Sequence, residues 1–372
     1  MKDRLQAALT ALDPFLDDAL EAMASDPEND GACPSIGLWE CPGALARNCL
    51  AAVPNLTVSA RNDGRGPHLA MVEAGARATL LHDALQSSGA NHAAPNVDAN
   101  DESVDFDSAA IVLPVPSREL TFGLIAAASR NAAPGAPILM AGTKDQGIET
   151  VAKRLKERGI NVEKRSKAHA IALRFTVPHD VLEDWMAPCQ ASEFEETADR
   201  IWVTAPGVFS HGRIDRGSLV LRKHMPTLSN RVADFGGGWG ALVPTLLERG
   251  AARVDLFEES ATALHLAKLN LADLPADKVA FHWHDLVAEP MGQTFDHVVM
   301  NPPFHTGKTT SANLGAAFID AAHRALRPGG SLTLVANVHL GYEHTLAGKF
   351  GNCEQLARED GFKILRAFRK RS

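Results

Sequence analysis

The chain has 372 residues, 45% of them hydrophobic and 22% charged, which predicts two ordinary globular domains. No apolar run approaches the roughly 18 residues that a membrane span needs, so an integral membrane protein is excluded. The net charge of -8 lies entirely in the first 190 residues, because the remainder carries 20 basic and 20 acidic side chains. A nucleic acid is therefore expected to use local basic patches of the second half.

The N-terminus has acidic residues where a signal peptide needs an apolar stretch, so we expect a cytoplasmic protein. The five cysteines show no CxxC spacing. A disulfide framework or a zinc ribbon is therefore not expected, and a reducing compartment fits the composition.

The first half opens with an amphipathic helix to about residue 25, followed by a stretch rich in Pro, Gly and Asn and by an acidic loop over 91–107. Strands and helices then alternate, which is typical of βα units on a mostly parallel sheet. The predicted elements are the strand Ala109–Pro114, the helix Arg118–Arg130, the strand Ile138–Ala141, the helix Gly147–Arg158 and the strand Ala168–Phe175. We expect an acidic, helical connection between the domains from Val181 to about Trp202.

The same alternation begins again in the second half, after residue 230. The predicted elements are the strand Arg231–Phe235, the helix Ala241–Arg249, the strand Arg253–Phe257, the helix Thr262–Leu271, the strands Val279–His284 and His297–Met300, the helix Ala312–Leu326 and the strand Ser331–Ala336. Segments 111–116 and 133–139 can be aligned with 298–304 and 327–333, which indicates a duplication. In this alignment the first half has Leu113 where the second has Asn301, so the chemistry is expected in the second half.

The first candidate site feature is a glycine loop between a strand and a helix. Asp234 begins an Asp-x-Gly-x-Gly-x-Gly segment that includes Gly236 and Gly238. Glycines at this position allow a tight turn and close packing of a ligand against the backbone. Three interpretations remain open: a glycine turn without a ligand, an NAD-binding Rossmann domain, and an S-adenosylmethionine site.

Acidic residues follow the next two strands. Glu258 ends the second strand, where a carboxylate can accept hydrogen bonds from ribose hydroxyls, and Asp285 follows the third, where it could accept one from an adenine amino group. The carboxyl ends of parallel strands meet at one edge of a sheet. Asp234, Glu258 and Asp285 are therefore predicted to converge on one crevice.

The segment Asn301-Pro302-Pro303-Phe304 directly follows the fourth strand. Consecutive prolines stiffen the backbone and hold the preceding residue extended. The Asn301 side-chain oxygen and the Pro302 carbonyl could accept the two hydrogens of an exocyclic amine, leaving its lone pair directed at a methyl donor. Phe304 could stack on the base, so that positioning supplies much of the catalysis.

The glycine loop together with Asn-Pro-Pro-aromatic resembles class I S-adenosylmethionine-dependent methyltransferases that act on planar amino groups. Further segments, among them Gly207-Val208-Phe209-Ser210, Ile214-Asp215-x-Gly217-Ser218 and His339-Leu340-Gly341-Tyr342, are similar to the ribosomal RNA guanine-N2 methyltransferases of the small-subunit methyltransferase C family. The chain departs from that family's Gly-Cys-Gly at Gly237, and from its Asp after the second strand at Glu258.

The resemblance implies an α/β fold of two tandem Rossmann-like methyltransferase domains, 1–188 and 189–372, of which the N-terminal one is degenerate and positions RNA or stabilises its neighbour. It implies Asn301, Pro302 and Phe304 as catalytic residues. The S-adenosylmethionine site would consist of Asp234, Gly236, Gly238, Glu258, Asp285 and Asn301.

The function implied is methyl transfer to guanine N2 of ribosomal RNA, most readily 16S RNA of the small subunit. We expect rRNA or the small ribosomal subunit as the partner, a monomer, and neither a metal nor a membrane. Three alternatives stay open: guanine-N2 methylation of 23S rRNA, methylation of a protein glutamine amide, and a non-catalytic RNA-binding assembly factor. The dense C-terminal basic group of Lys363, Arg366, Arg369, Lys370 and Arg371 is a candidate phosphate contact.

Overall fold

The computed structural model describes residues 2–25, 34–53, 56–80, 108–178, 181–197, 200–303 and 310–371. The chain divides into two compact units, Met1–Ala191 and Ser192–Ser372. The predicted acidic loop over 91–107 lies outside the described residues. In the described part of the chain, no helix is long and apolar enough to cross a membrane.

The N-terminal unit is a seven-stranded sheet with the strand order β3-β2-β1-β4-β5-β7-β6. Its strands are β1 (Ser35–Trp39), β2 (Thr57–Asn62), β3 (Arg77–Leu80), β4 (Ala109–Val112), β5 (Ile138–Thr143), β6 (Val162–Lys167) and β7 (Ala170–Phe175). Its helices are α1 (Lys2–Ser25), α2 (Gly43–Ala52), α3 (Arg65–Glu73), α4 (Arg118–Asn131) and α5 (Ile148–Glu157). Strands β6 and β7 are antiparallel, and the pairs from β3 to β5 are parallel.

The C-terminal unit contains a second seven-stranded sheet, with the order β12-β11-β10-β13-β14-β16-β15. Its strands are β10 (Arg231–Phe235), β11 (Arg253–Glu258), β12 (Val279–Trp283), β13 (Phe295–Met300), β14 (Leu326–Asn337), β15 (Asn352–Glu359) and β16 (Phe362–Phe368). A hairpin of β8 (Ser192–Thr197) and β9 (Arg200–Thr204) precedes this sheet. The helices are α6 (Arg216–Lys223), α7 (Val243–Glu248), α8 (Ala261–Asn270), α9 (Thr310–Ala325) and α10 (Tyr342–Lys349).

The strand order brings the predicted site segments together. Strand β10 pairs in parallel with β11 on one side and with β13 on the other, and Phe235 is in register with Phe257 and Met300. The glycine loop, Glu258 and Asn301 therefore leave neighbouring strands at the same edge of the sheet. This is the switch point at which open parallel sheets bind ligands.

The predicted helical connection from Val181 to about Trp202 is wrong. In the described residues it consists of short 3-10 turns at 183–185 and 187–189, followed by the β8–β9 hairpin. Side chains alternate along strand β9, with Trp202 and Thr204 buried and Ile201 exposed. Such alternation with a period of two is typical of a half-buried strand.

The boundary between α9 and the next strand also differs from the prediction, which left residues 327–330 between the helix and the strand. Strand β14 begins at Leu326, directly after α9, and includes the Arg-Pro-Gly-Gly segment. Gly329 has a φ of +79°, a left-handed conformation that favours glycine. A Cβ atom at Gly330 would lie 2.8 Å from the Asp296 carbonyl oxygen, so this segment passes close to β13.

Candidate active site

A cavity of about 460 Å³ lies at the carboxyl edge of the C-terminal sheet. Its walls are formed by the glycine loop, by Glu258 and the segment 284–287, by Asn301 and Pro303, and by residues of the segment 209–218. Leu314 and Phe318 of helix α9 complete the lining. The predicted crevice therefore exists, and it includes a segment that precedes the sheet in the chain.

The glycine loop has a backbone that other residues adopt rarely. Gly236, Gly238 and Gly240 have φ values of +65°, +56° and +92°, in the region where a Cβ atom is disfavoured. The amides of Gly236 and Gly237 both donate to the Phe257 carbonyl oxygen, at 2.9 and 3.1 Å. These hydrogen bonds hold the loop against the end of β11, with glycine backbone facing the cavity.

Glu258 stabilises the same loop through its side chain. One carboxylate oxygen accepts a hydrogen bond from the Gly238 amide and the other from the Ser260 amide, both at 2.9 Å. Glu258 also lines the cavity. A ribose hydroxyl in the cavity could donate a hydrogen bond to the Glu258 carboxylate, which already accepts hydrogen bonds from the Gly238 and Ser260 amides.

Asp234 lies behind the loop and does not line the cavity. Its side chain is fully buried, and among the described residues neither carboxylate oxygen has a hydrogen-bond partner. Burial, and secondarily the charge of Glu258, raise the pKa of Asp234 to about 7. The Asp234 carboxylate therefore lies beneath the glycine loop, where a Cβ atom at Gly237 would come within 3.0 Å of its Oδ2, and not on the cavity surface.

Asp285 lines the cavity and shapes the turn that follows β12. Its Oδ1 accepts hydrogen bonds from the amides of Val287 and Ala288, at 2.9 and 3.0 Å. Asp285, which the sequence predicts to contact an adenine, therefore also fixes the backbone of this turn. The Asp285 carboxylate thus lies at the far side of the cavity from Asn301 in strand order, since β12 is the edge strand.

Asn301 is held by two residues from the beginning of helix α6. Its Nδ2 donates to Asp215 Oδ2 and to Ser218 Oγ, each at 2.9 Å. A carboxylate can only accept hydrogen bonds, so this contact requires the amide nitrogen to face Asp215. The amide oxygen is left over, and it is a buried acceptor without a partner among the described residues.

The other members of the Asn-Pro-Pro-Phe segment have different places. Pro303 lines the cavity, whereas Pro302 is buried and does not. Phe304, the predicted stacking residue, lies outside the described residues.

Sequence reasoning missed Asp215 and Ser218 as site residues. The segment Ile214-Asp215-x-Gly217-Ser218 served only as a family marker, because nothing in its spacing relates it to Asn301. Asp215 also caps helix α6, accepting a hydrogen bond from the Ser218 amide at 3.0 Å, a common role for Asp at this position. Asp215 as the N-cap of a predicted helix was the sequence signal that could have drawn attention to this segment.

Trp239 connects the glycine loop to the segment before helix α6. Its Nε1 donates to the Phe209 carbonyl oxygen at 2.9 Å. Its ring packs edge-on against Trp202 and Phe194 of the β8–β9 hairpin, with centroids 5.1 and 5.8 Å apart. The hairpin that replaces the predicted helix therefore buttresses one wall of the cavity.

Two members of the basic C-terminal group, Lys363 and Arg369, make contacts within the fold. Lys363 is buried and lies 2.5 Å from a Glu343 carboxylate oxygen. Arg369 donates to the carbonyl oxygens of Arg324 and Leu326. Its amide bonds to Gly330, near the start of β14 and at the opposite edge of the sheet from Asn301.

The chain is similar in sequence to known methyltransferases. Residues 199–366 match the family model described as the methyltransferase small domain. The chain is 36% identical over 278 residues to the ribosomal RNA small subunit methyltransferase C of Pseudomonas entomophila, covering 72% of the chain and 80% of that protein. The chain belongs to the ribosomal RNA small subunit methyltransferase C family. The protein of that name from Pseudomonas putida W619 is 35% identical over 272 residues, with the same coverage.

One solved structure has the same fold over nearly the whole chain. The structure of a 16S rRNA N2 methyltransferase from T. thermophilus, in complex with AdoMet and guanosine, aligns with a TM-score of 0.71 and covers 96% of this chain and 93% of that one, at 24% identity. The relatives confirm the prediction of a methyltransferase of this family, and the structural match confirms the prediction of an α/β fold with two tandem Rossmann-like units. Among the described residues, no group of three His, Cys, Asp or Glu side chains could hold a metal ion.

Proposed function

We propose that this protein transfers a methyl group from S-adenosylmethionine to the exocyclic N2 of a guanine in 16S rRNA. The orientation of Asn301 is the observation that carries the proposal. Its amide nitrogen is occupied by Asp215 and Ser218, and its oxygen is an acceptor without a partner in the described part of the chain. A buried acceptor of this kind requires a donor, and an amine of the substrate supplies one.

The residues around the cavity fit the methyl donor. The glycine loop offers backbone without side chains, and Glu258 and Asp285 offer carboxylates to hydroxyl and amino groups. When bound, S-adenosylmethionine supplies a methyl group on a sulfonium, whose C–S bond breaks as the bond to N2 forms.

The chain's own residues position the amine. Asn301 Oδ1 accepts one hydrogen of the amino group, and the Pro302 carbonyl is the proposed acceptor of the other. Both bonds favour a pyramidal nitrogen, whose lone pair is then available to the methyl carbon. Phe304 is proposed to stack on the base. After transfer, N2 releases one proton to water, so no strong general base is needed.

The N-terminal unit is proposed to be a degenerate copy that positions RNA or stabilises the catalytic unit. The two sheets have the same strand order, and β1 takes the place of β10. In the N-terminal unit the turn after β1 reads Glu40-Cys41-Pro42-Gly43, and Cys41 is buried. The residue that follows β4 is the buried Leu113, which has no polar atom to orient an amine.

We propose that the protein acts as a monomer in the cytoplasm, with ribosomal RNA or the small subunit as its partner. The experiment is to incubate the protein and labelled S-adenosylmethionine with small subunits, large subunits, naked 16S and 23S rRNA, and a protein extract. The labelled product is then digested and identified. N2-methylguanosine from small-subunit RNA supports the proposal. Label found only in 23S rRNA or in methylglutamine contradicts it.

A further inference from the structure

The two carboxylate oxygens of Asp215 have different surroundings. Its Oδ2 accepts from both Asn301 Nδ2 and the Ser218 amide. Among the described residues, Oδ1 has no hydrogen-bond partner, although Asp215 lines the cavity beside Asn301. The site therefore contains two neighbouring side chains with an acceptor that lacks a partner in the described part of the chain. These acceptors are the amide oxygen of Asn301 and Oδ1 of Asp215.

Guanine presents a matching pair of donors. Its N1–H and N2–H₂ groups are adjacent on the same edge of the base, so two acceptors side by side can bind both. Adenine, and any purine with an unprotonated N1, has a lone pair at that position, which a carboxylate repels. A site that pairs with such a donor discriminates strongly against analogues that lack it.

We propose that Asp215 reads the guanine base by accepting a hydrogen bond from N1–H, while its other oxygen fixes Asn301 for N2. This inference rests on the proposed function, because it names the residue that makes that site specific for guanine. One carboxylate thus couples recognition to positioning: the base that satisfies Oδ1 is held with its amine next to Asn301.

The surroundings of Asp215 keep its carboxylate in place. Capping of helix α6 fixes one oxygen, and a Cβ atom at position 217 would lie 2.9 Å from it and 3.0 Å from the Phe362 ring. Gly217 is therefore required by the packing around this carboxylate. The rotamer of Asp215 is determined before a base arrives, as pre-organised recognition requires.

The test replaces the acceptor by a donor without removing the cap. In Asp215→Asn the new amide oxygen can still accept from Asn301 and Ser218, since Asn caps helices about as well as Asp. Its NH₂ group then takes the place of the free oxygen. Substrate RNA carries guanine, 2,6-diaminopurine or 2-aminopurine at the target position; all three have the 2-amino group, but the two analogues have an unprotonated N1.

The measured quantity is the ratio of kcat/KM on guanine to kcat/KM on each analogue. Comparing this ratio between enzymes cancels the intrinsic reactivity of each amine. We expect the ratio to fall by about tenfold or more in Asp215→Asn, the scale on which one base-reading contact discriminates. Asp215→Ala removes the acceptor and adds no donor, so it should lose guanine activity without gaining activity on the analogues. The exposed Asp277→Asn serves as the matched control and should leave every ratio unchanged.

An equal loss on guanine and on both analogues would overturn the proposal and leave Asp215 with a positioning role alone. Wild-type enzyme that does not prefer guanine would overturn it as well. If Asp215→Asn is inactive on every substrate, dissociation constants of guanosine and 2,6-diaminopurine riboside decide: a shift in preference supports the proposal, and equal weakening contradicts it. Failure of the proposed function is a separate outcome, in which the wild-type enzyme forms no N2-methylguanosine.

Discussion

The side-chain amide of Asn301 donates to Asp215 Oδ2 at 2.9 Å across a separation of 86 residues. The contact joins the end of β13 to the beginning of α6, two elements of the C-terminal unit that are remote in the chain. The contact orients the Asn301 side-chain amide, whose nitrogen donates hydrogen bonds and whose oxygen accepts them. The acceptor needed by an amine is therefore presented by the fold before substrate binds.

Substitution of Asn301 tests this orientation most directly. Asn301→Ala should lower single-turnover methylation at saturating RNA by about two or more orders of magnitude, because a positioned polar group that acts in the transition state is lost. Donor affinity and melting temperature should change little. Ser218→Ala removes one of the two contacts on Nδ2 and should cost far less. A near wild-type rate for Asn301→Ala would refute the amine-positioning mechanism.

Glu258 should govern affinity for the methyl donor. Its removal in Glu258→Ala takes away acceptors of the Gly238 and Ser260 amides as well as the proposed ribose contact. Loss of charged hydrogen bonds of this kind costs about 1–3 kcal/mol, which calorimetric titration with S-adenosylmethionine would detect. NADH should not bind to the wild-type protein. Unchanged donor affinity in the variant, or tight NADH binding, would contradict the assignment.

The buried Asp234 should make stability depend on pH. Its pKa of about 7 in the folded protein exceeds the reference value of 3.8, so the native state binds more protons than the unfolded state between these values. The contribution of Asp234 to the free energy of unfolding therefore falls as the pH rises from about 4 to 7, and it stays constant above pH 7. Asp234→Asn has no carboxylate to titrate at this position. The difference in melting temperature, variant minus wild type, should therefore be more positive at pH 8 than at pH 5.

The control for Asp234 is Asp277→Asn, which replaces an exposed carboxylate of the same unit. Its melting temperature should follow the wild type at both pH values. An equal effect of Asp234→Asn at pH 5 and pH 8 would show that the carboxylate does not titrate in this range.

Gly237 and Leu256 should be energetically coupled. A Cβ atom at Gly237 would lie 2.5 Å from Leu256 Cγ, and Leu256 is fully buried. Gly237→Ala should lower the melting temperature, since overpacking costs about 1–3 kcal/mol. Leu256→Ala also destabilises by leaving a cavity. The double variant should lose less than the sum of the two single losses, because the new methyl group occupies space that Leu256 vacates. Additive losses would contradict the clash.

Removal of the N-terminal unit tests its proposed role. A chain of residues 192–372 retains the complete sheet, the cavity and the contact between Asn301 and Asp215. It should bind S-adenosylmethionine but methylate RNA much more weakly than the full chain. Donor binding by calorimetry serves as the control for folding. Equal methylation by the shortened and full chains would show that the N-terminal unit does not position RNA.

The parallel core of the C-terminal unit could be predicted from the sequence. Strands β10, β11 and β13 are short apolar runs bounded by Gly, Pro and acidic residues, and such local signals mark buried parallel strands. The convergence of Glu258, Asp285 and Asn301 then follows from the geometry of any open parallel sheet. The resemblance to class I methyltransferases rested on the glycine loop and the Asn-Pro-Pro-Phe segment, which follow two of these strands.

Other elements depend on pairing that the local sequence does not reveal. Five of the six residues of β6 are exposed, so the strand has no apolar pattern and exists because it pairs with β7. The acidic segment that forms β8 has charged residues compatible with a helix. Its strand conformation comes from pairing with β9 and from the packing of Phe194 against Trp239.

The sequence alone therefore determined the α/β class, the glycine loop and the residues that follow the central strands, because these depend on composition and on short-range pattern. Only the tertiary structure decided what Asn301 faces and where Asp234 lies. Hydrogen bonds such as that between Asn301 and Asp215 join side chains from distant parts of the chain, and their partners are selected by packing. Burial is also decided by packing. Asp234 is the acidic residue that the motif predicts, but the packing of the sheet places its carboxylate behind the loop.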